Sequence, residues 1–182
     1  MKKLLLCLCL LLLNAQNILS QTKVIEPDFV GEALLLKTDN SIAKLDKSIS
    51  QMKIKSPVTV FSKIKIRFEI DECCASTRIP LNNSIKIIVK AVDNKTDPMS
   101  IVSIFKFEKR KKDRRAEMLS LGMFSGSANN QEYIKFKAEK YGESSYLLLL
   151  DIKEKGEYGI TVKNPNSMTE SSGMVISSFG VD

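Results

Sequence analysis

In Ile64-Lys65-Ile66-Arg67-Phe68-Glu69-Ile70 every second residue is apolar and every intervening one is charged. A β-strand points successive side chains to opposite faces. The run therefore lays Ile64, Ile66, Phe68 and Ile70 on one face and Lys65, Arg67 and Glu69 on the other. A helix would scatter the same apolar residues around its circumference. A strand with one apolar face needs a second layer to cover that face.

Related runs recur along the chain. Residues 30–37 are rich in Leu, and Thr38-Asp39-Asn40-Ser41 follows with turn chemistry. Residues 42–49 are read as a strand returning in a hairpin, although a short helix would also group Ile42, Leu45 and Ile49. Residues 85–92 carry β-branched side chains on both faces, as a central strand buried on both sides does. Asp93-Asn94-Lys95-Thr96-Asp97-Pro98 then stops that strand. Residues 101–108 and 116–124 form a pair around a basic turn, and Ser125-Gly126-Ser127-Ala128-Asn129-Asn130 is expected to be a flexible loop. Residues 133–138, 146–152 and 158–163 are three further strands, with a tight turn at Lys155-Gly156, and residues 174–181 make the last one. About nine or ten short strands spaced roughly 10 to 15 residues apart indicate an all-β fold, an antiparallel β-sandwich or barrel. An immunoglobulin-like sandwich is the expected form, without the usual Cys…Trp…Cys core, because the chain has no Trp.

Lys2 and Lys3 precede an apolar run over residues 4–13, and a polar stretch ending at Ser20-Gln21 follows. That is the layout of a secretory signal peptide, so residues 1–20 are expected to be removed. Spanning a bilayer takes roughly 20 apolar residues, about twice this run, and no second run of that length follows. Cys7 and Cys9 are each preceded by Leu, where lipid attachment wants a small residue, so a lipoprotein is not expected. Residues 21–182 are then about 160 residues, the size of one ordinary domain. The expected location is the periplasm, the cell surface or the extracellular space.

A resemblance extends over nearly all of that exported part. It is carried by Phe29-Val30-Gly31-Glu32, Val92-Asp93-Asn94 with Asp97-Pro98, Phe136-Lys137-Ala138-Glu139-Lys140-Tyr141-Gly142 with Ser145-Tyr146, Gly156-Glu157-Tyr158-Gly159, and Phe179-Gly180-Val181-Asp182. On these motifs the chain resembles a group of uncharacterised exported bacterial β-rich proteins. The resemblance implies an exported bacterial β domain and brings no activity with it.

Of the four cysteines, Cys73 and Cys74 lie outside the expected signal peptide. Neighbouring Cα atoms stand about 3.8 Å apart, whereas a relaxed disulfide wants roughly 4.4 to 6.8 Å. Free thiols are the expected state, with a bridge between the two neighbours or to another molecule as the alternatives. A disulfide framework does not hold such a chain together.

The chain contains no histidine. That removes Ser-His-Asp and Cys-His nucleophiles, His-ligated metals and a histidine general base. Two adjacent cysteines cannot by themselves close a tetrahedral zinc site. No glycine-rich phosphate loop opens a helix, so no nucleotide cofactor is expected, nor any other. Paired carboxylates survive this filter, with Glu69, Asp71 and Glu72 as candidates whose spacing does not single them out. Asp93, Asn94, Thr96 and Asp97 could offer oxygen ligands to calcium, but side chains capping their own turn explain the same residues. Carbohydrate platforms want exposed aromatics, and only Tyr133, Tyr141, Tyr146 and Tyr158 are available, Tyr141 and Tyr146 flanking a turn that could face solvent.

Charge is concentrated in one place. The formal charge of +7 falls to +5 without Lys2 and Lys3, and residues 106–115, with seven basic and two acidic side chains, supply all of it. Lys109, Arg110, Lys111, Lys112, Arg114 and Arg115 are therefore the candidate anion-binding residues. The competing reading is a hairpin tip kept soluble by repulsion. No aromatic residues interleave to stack on bases, so nucleic acid is not the expected partner. Taken together, the sequence predicts a non-enzymatic exported binding or structural module that meets another macromolecule by surface contact, with the basic hairpin as the candidate contact should that partner be anionic. The alternative is a histidine-free, carboxylate-based hydrolase of extracellular polymers.

Overall fold

The computed structural model describes residues 24–55, 63–81, 84–122, 126–129, 133–163 and 174–182. The expected signal peptide with Cys7 and Cys9, and the loop positions Ser125 and Asn130, lie outside them. The strands in chain order are β1 (Ala33–Leu36), β2 (Ile42–Lys44), β3 (Asp46–Ile49), β4 (Gln51–Lys55), β5 (Ile64–Asp71), β6 (Arg78–Ile79) and β7 (Ile85–Lys90), followed by a short helix α1 (Pro98–Ile101). After it come β8 (Val102–Lys109), β9 (Asp113–Gly122), β10 (Gly126–Asn129), β11 (Phe136–Tyr141), β12 (Ser145–Leu150), β13 (Gly156–Val162) and β14 (Val175–Val181). No helix among the described residues is long and apolar enough to cross a membrane.

The fold is all-β. One sheet has the order β11-β12-β7-β1-β2, and the other runs β3-β14-β13-β8-β9-β5-β4, with β10 beside β9 and β6 beside β14. Among the described residues every pairing is antiparallel except the two-residue contact of β6 with β14. β7 is the central strand of the first sheet, and Ile85, Ile87, Ile88 and Val89 are all buried there, as the β-branching on both faces required. Ala33, Leu35, Ile87, Val89 and Leu148 of the first sheet share one buried cluster with Ile104, Tyr158, Ile160, Phe179 and Val181 of the second. Two antiparallel sheets sealing a common interior are consistent with a β-sandwich. Fully burying each Val, Leu, Ile or Phe side chain among them contributes roughly 1.5–3 kcal/mol.

A second cluster lies on the opposite face of β8, β13 and β14. Phe105 and Phe107 of β8 and Ile176 of β14 meet Phe68 and Ile70 of β5 and Ala116 of β9 there. The long sheet achieves this by bending. β8 and β9 pair only at Glu108↔Arg115 and Lys109↔Arg114, after which β8 continues along β13 and β9 along β5. The strands β5 and β9 thus cover the outer face of the very sheet they extend. The alternation in β5 is buried at one end: Phe68 and Ile70 are buried, whereas Ile64 and Ile66 are half-buried.

Three expectations need correction. Residues 42–49 are not one strand: β2 pairs with β1 in the first sheet and β3 with β14 in the second. Leu45, between them, is buried in the main cluster, and its burial breaks the strand as the chain crosses from sheet to sheet. Gly126 to Asn129 do not form a flexible loop but pair with Gly122 to Leu119 as β10. Cys73 and Cys74 are not free thiols; they are bridged to each other, with Cα atoms 3.7 Å apart. The capping residues of the 93–98 turn behave as turn chemistry demands. Asp93 Oδ1 accepts the N–H of Lys95 at 2.8 Å, and Asp97 Oδ1 accepts that of Met99 at 2.9 Å.

Candidate functional site

The basic segment is the tip of the β8–β9 hairpin. The Arg110 N–H donates to the Asp113 carbonyl at 2.9 Å and closes the turn, and the Arg110 guanidinium stands 3.5 Å from the Asp113 carboxylate. Lys109, Arg110, Lys111 and Lys112 are exposed around that turn. Below them, Arg115 donates to both oxygens of Glu108 at 2.7 and 2.8 Å across the strand pair. The hydrogen-bonded Arg115 side chain holds the Glu108 carboxyl below its ordinary range. The tip therefore presents four cations on a closed turn with a paired base.

Arg114 does not belong to that surface. It is 1% exposed, although the sequence offered it with its neighbours as an anion contact. The correction follows from the period of two: Arg114 shares its face with Ala116, and that face of β9 points inward. Extending the strand backwards from Ala116 would have found it. Arg115 is half-buried and engaged by Glu108, so the exposed cations are Lys109, Lys111 and Lys112, together with Arg110 beside its partner Asp113.

Arg114 enters a buried polar network that sequence reading missed. Its Nη2 donates to Ser178 Oγ at 2.9 Å, its Nη1 lies 3.6 Å from Glu157 Oε2, and the guanidinium sits 5.9 Å from the Phe107 ring centroid. Desolvation lowers the Arg114 pKa from its ordinary value, but a guanidinium keeps its charge at any physiological pH. Glu157, itself only 2% exposed, accepts from Arg78 Nη1 at 2.5 Å through Oε1 and from the Ala75 N–H at 2.8 Å through Oε2. Arg78 in turn donates Nε to Asp182 at 2.9 Å and Nη2 to the other oxygen of the same carboxylate. Both ionic partners of Glu157 are thus held by further hydrogen bonds, which is what a buried charge needs.

A second basic feature is a cleft of about 930 Å³ floored by Phe136, Leu150 and Ile152, with Lys135, Lys137 and Lys153 on its rim. Lys153 is paired with Asp151 at 2.6 Å, both of them exposed. The other expected site residues are accounted for differently. Glu69 is bound to Lys53 at 2.5 Å. Tyr146 is buried rather than solvent-facing, its hydroxyl donating to the Thr96 carbonyl. Tyr158 is buried against Phe179, with ring centroids 5.6 Å apart.

No protein-family model, curated protein or solved structure matches this chain. Function therefore has to be read from these residues alone.

Proposed function

We propose that this chain is an exported, non-enzymatic binding or structural module that meets an anionic macromolecule through the β8–β9 tip. The observation that carries the reading is the exposure of Lys109, Arg110, Lys111 and Lys112 around a turn whose base is fixed by buried Arg114. A patch of like charge on a fixed turn attracts a polyanion with little ordering cost. Export is supported by the charged, apolar and polar succession over residues 1–21 and by the bridged state of Cys73 and Cys74, since disulfides persist in oxidising compartments. The resemblance to exported bacterial β-rich proteins points the same way. The immunoglobulin-like form of the sandwich belongs to this reading, supported by two antiparallel sheets over a shared core.

The test compares retention of three proteins on heparin and on anionic liposomes: wild type, Arg110→Ser/Lys111→Ser/Lys112→Ser, and Lys135→Ser/Lys137→Ser. Each basic residue near an anionic surface contributes about 1 kcal/mol, so loss of three weakens binding ~100-fold at low salt. Retention unchanged in the tip variant, or lost only in the cleft variant, sinks the reading.

A further inference from the structure

The segment between β5 and β6 packs against the anchor of the basic hairpin. It opens at Glu72, whose φ of 68° puts a non-glycine residue in the left-handed region. Cys73 and Cys74 follow, bridged to each other and half-buried. The next residue, Ala75, is buried and gives its N–H to Glu157 Oε2 at 2.8 Å. Ser76 gives both its N–H and its hydroxyl to the Asp46 carboxylate. The Glu157 oxygen that accepts from Ala75 is the one facing Arg114 at 3.6 Å, and the other accepts from Arg78 at 2.5 Å. One buried carboxylate therefore joins Ala75 and Arg78, which both follow the disulfide, to the inward-facing arginine at the foot of the hairpin.

A bridge between sequence neighbours encloses almost no chain, so it cannot act by restricting the unfolded state as a long-range crosslink does. Its effect is local. It fixes the backbone just before Ala75 and so aims the Ala75 N–H at Glu157. Half-exposure leaves the sulfurs within reach of an attacking thiolate.

We propose that Cys73–Cys74 is a reversible thiol–disulfide exchange site for a dithiol reductant, and that its state sets how firmly Glu157 and Arg114 anchor the basic hairpin. Its functional weight rests on the anion-contact reading above; the exchange and the loosening do not. In the reaction, a thiolate of the reductant attacks one cysteine sulfur, forms a mixed disulfide and expels the other cysteine as a thiolate. The second thiol of the reductant then displaces the remaining protein sulfur. The reductant leaves as its own disulfide, and the two electrons and two protons it gives up end on Cys73 and Cys74 as thiols. Without the bridge the backbone before Ala75 regains torsional freedom, the hydrogen bond to Glu157 opens more often, and Arg114 loses a fixed counter-charge.

The experiment uses the full chain, oxidised and then treated with dithiothreitol under native conditions. Alkylation mapped by peptide mass confirms the thiols, and hydrogen exchange is followed by peptide. Reduction is expected to speed exchange at Ala75 and Ser76 about tenfold or more, as loss of a hydrogen bond to a charged acceptor does, and to raise it across residues 108–115. Cys73→Ser/Cys74→Ser should show the fast exchange whether or not reductant is present. If the cysteines resist dithiothreitol in the folded protein, or if they are reduced and exchange in both segments stays at the oxidised rate, the proposal is overturned. Heparin retention is measured in both states to separate the two readings. Faster exchange with no retention in either state removes the anion-contact reading and leaves the exchange site standing, whereas retention that changes with reduction supports both.

Discussion

The carboxylate of Glu157 stands 3.6 Å from the guanidinium of Arg114, and neither side chain is more than 2% exposed. The two are not equivalent partners. Glu157 also satisfies Arg78 and the Ala75 N–H, whereas Arg114 Nε and Nη1 have no hydrogen-bond acceptor among the described residues. Glu157→Leu leaves buried Arg114 without its counter-charge and the buried Ala75 N–H without its acceptor, while Arg78 keeps Asp182, and should cost about 3–5 kcal/mol. Arg114→Met removes one hydrogen bond to Ser178 while leaving Glu157 paired, and should cost about 1 kcal/mol. Urea unfolding of both variants measures the asymmetry, and equal losses would contradict it.

Gly159 lies under two aromatic rings. A Cβ placed there would stand 2.7 Å from Phe107 Cε2 and 2.9 Å from Phe105, closer than real contacts allow. Those rings already meet edge to face, with centroids 5.1 Å apart, and both are buried, so neither can swing to solvent. Gly159→Ala should therefore cost about 1–3 kcal/mol through overpacking. Thermal unfolding that leaves Tm unchanged would show that the second cluster yields more readily than its packing indicates.

Acid should weaken the fold in a defined window. The Arg78 side chain holds the Asp182 carboxyl below its ordinary 3.8, and the Arg115 side chain holds that of Glu108 below its ordinary 4.5. A carboxyl whose pKa is lower folded than unfolded stabilises the protein fully above the unfolded value. That stabilisation is lost as pH falls through the folded value. Tm should hold steady from pH 8 to about pH 5 and decline below it. Asp182→Asn should lower Tm at pH 7, with the difference from wild type shrinking towards pH 2; a difference that persists at pH 2 would rule out this origin.

What the sequence made legible is what a period of two encodes. β5, β7, β8, β12, β13 and β14 all fall where alternating or continuous apolar residues placed them. What it concealed depends on long-range geometry. Expecting one interior, the reading had no place for Phe105 and Phe107 facing away from Ile104, nor for buried Glu157 facing away from Tyr158. β4 has exposed residues throughout and forms only because β5 offers an edge to pair with, so composition could not announce it. Among the candidate site residues, the exposed tip was visible as a run of charge. The inward position of Arg114 was within reach of the period of two, two residues before Ala116, but the partner that makes a buried charge tolerable there, Glu157, is 43 positions away, and no local pattern names it.

The founding alternation can itself be tested within one face. Phe68 and Ile54 lie on the same side of the long sheet, since Met52 pairs with Phe68 and Ile54 with Ile66. Phe68 packs into the second cluster with Ile70, Phe107 and Ala116, whereas Ile54 is 63% exposed on β4. Phe68→Ala removes a buried ring and leaves a cavity, and should cost about 3–5 kcal/mol. Ile54→Ala removes atoms that water already reaches, and its effect should stay within about 0.5 kcal/mol. Chemical denaturation of the two variants side by side checks both figures. A large loss at Ile54 would mean that its face is covered, and a small one at Phe68 would mean that β5 and β9 do not close over the outer side of β8.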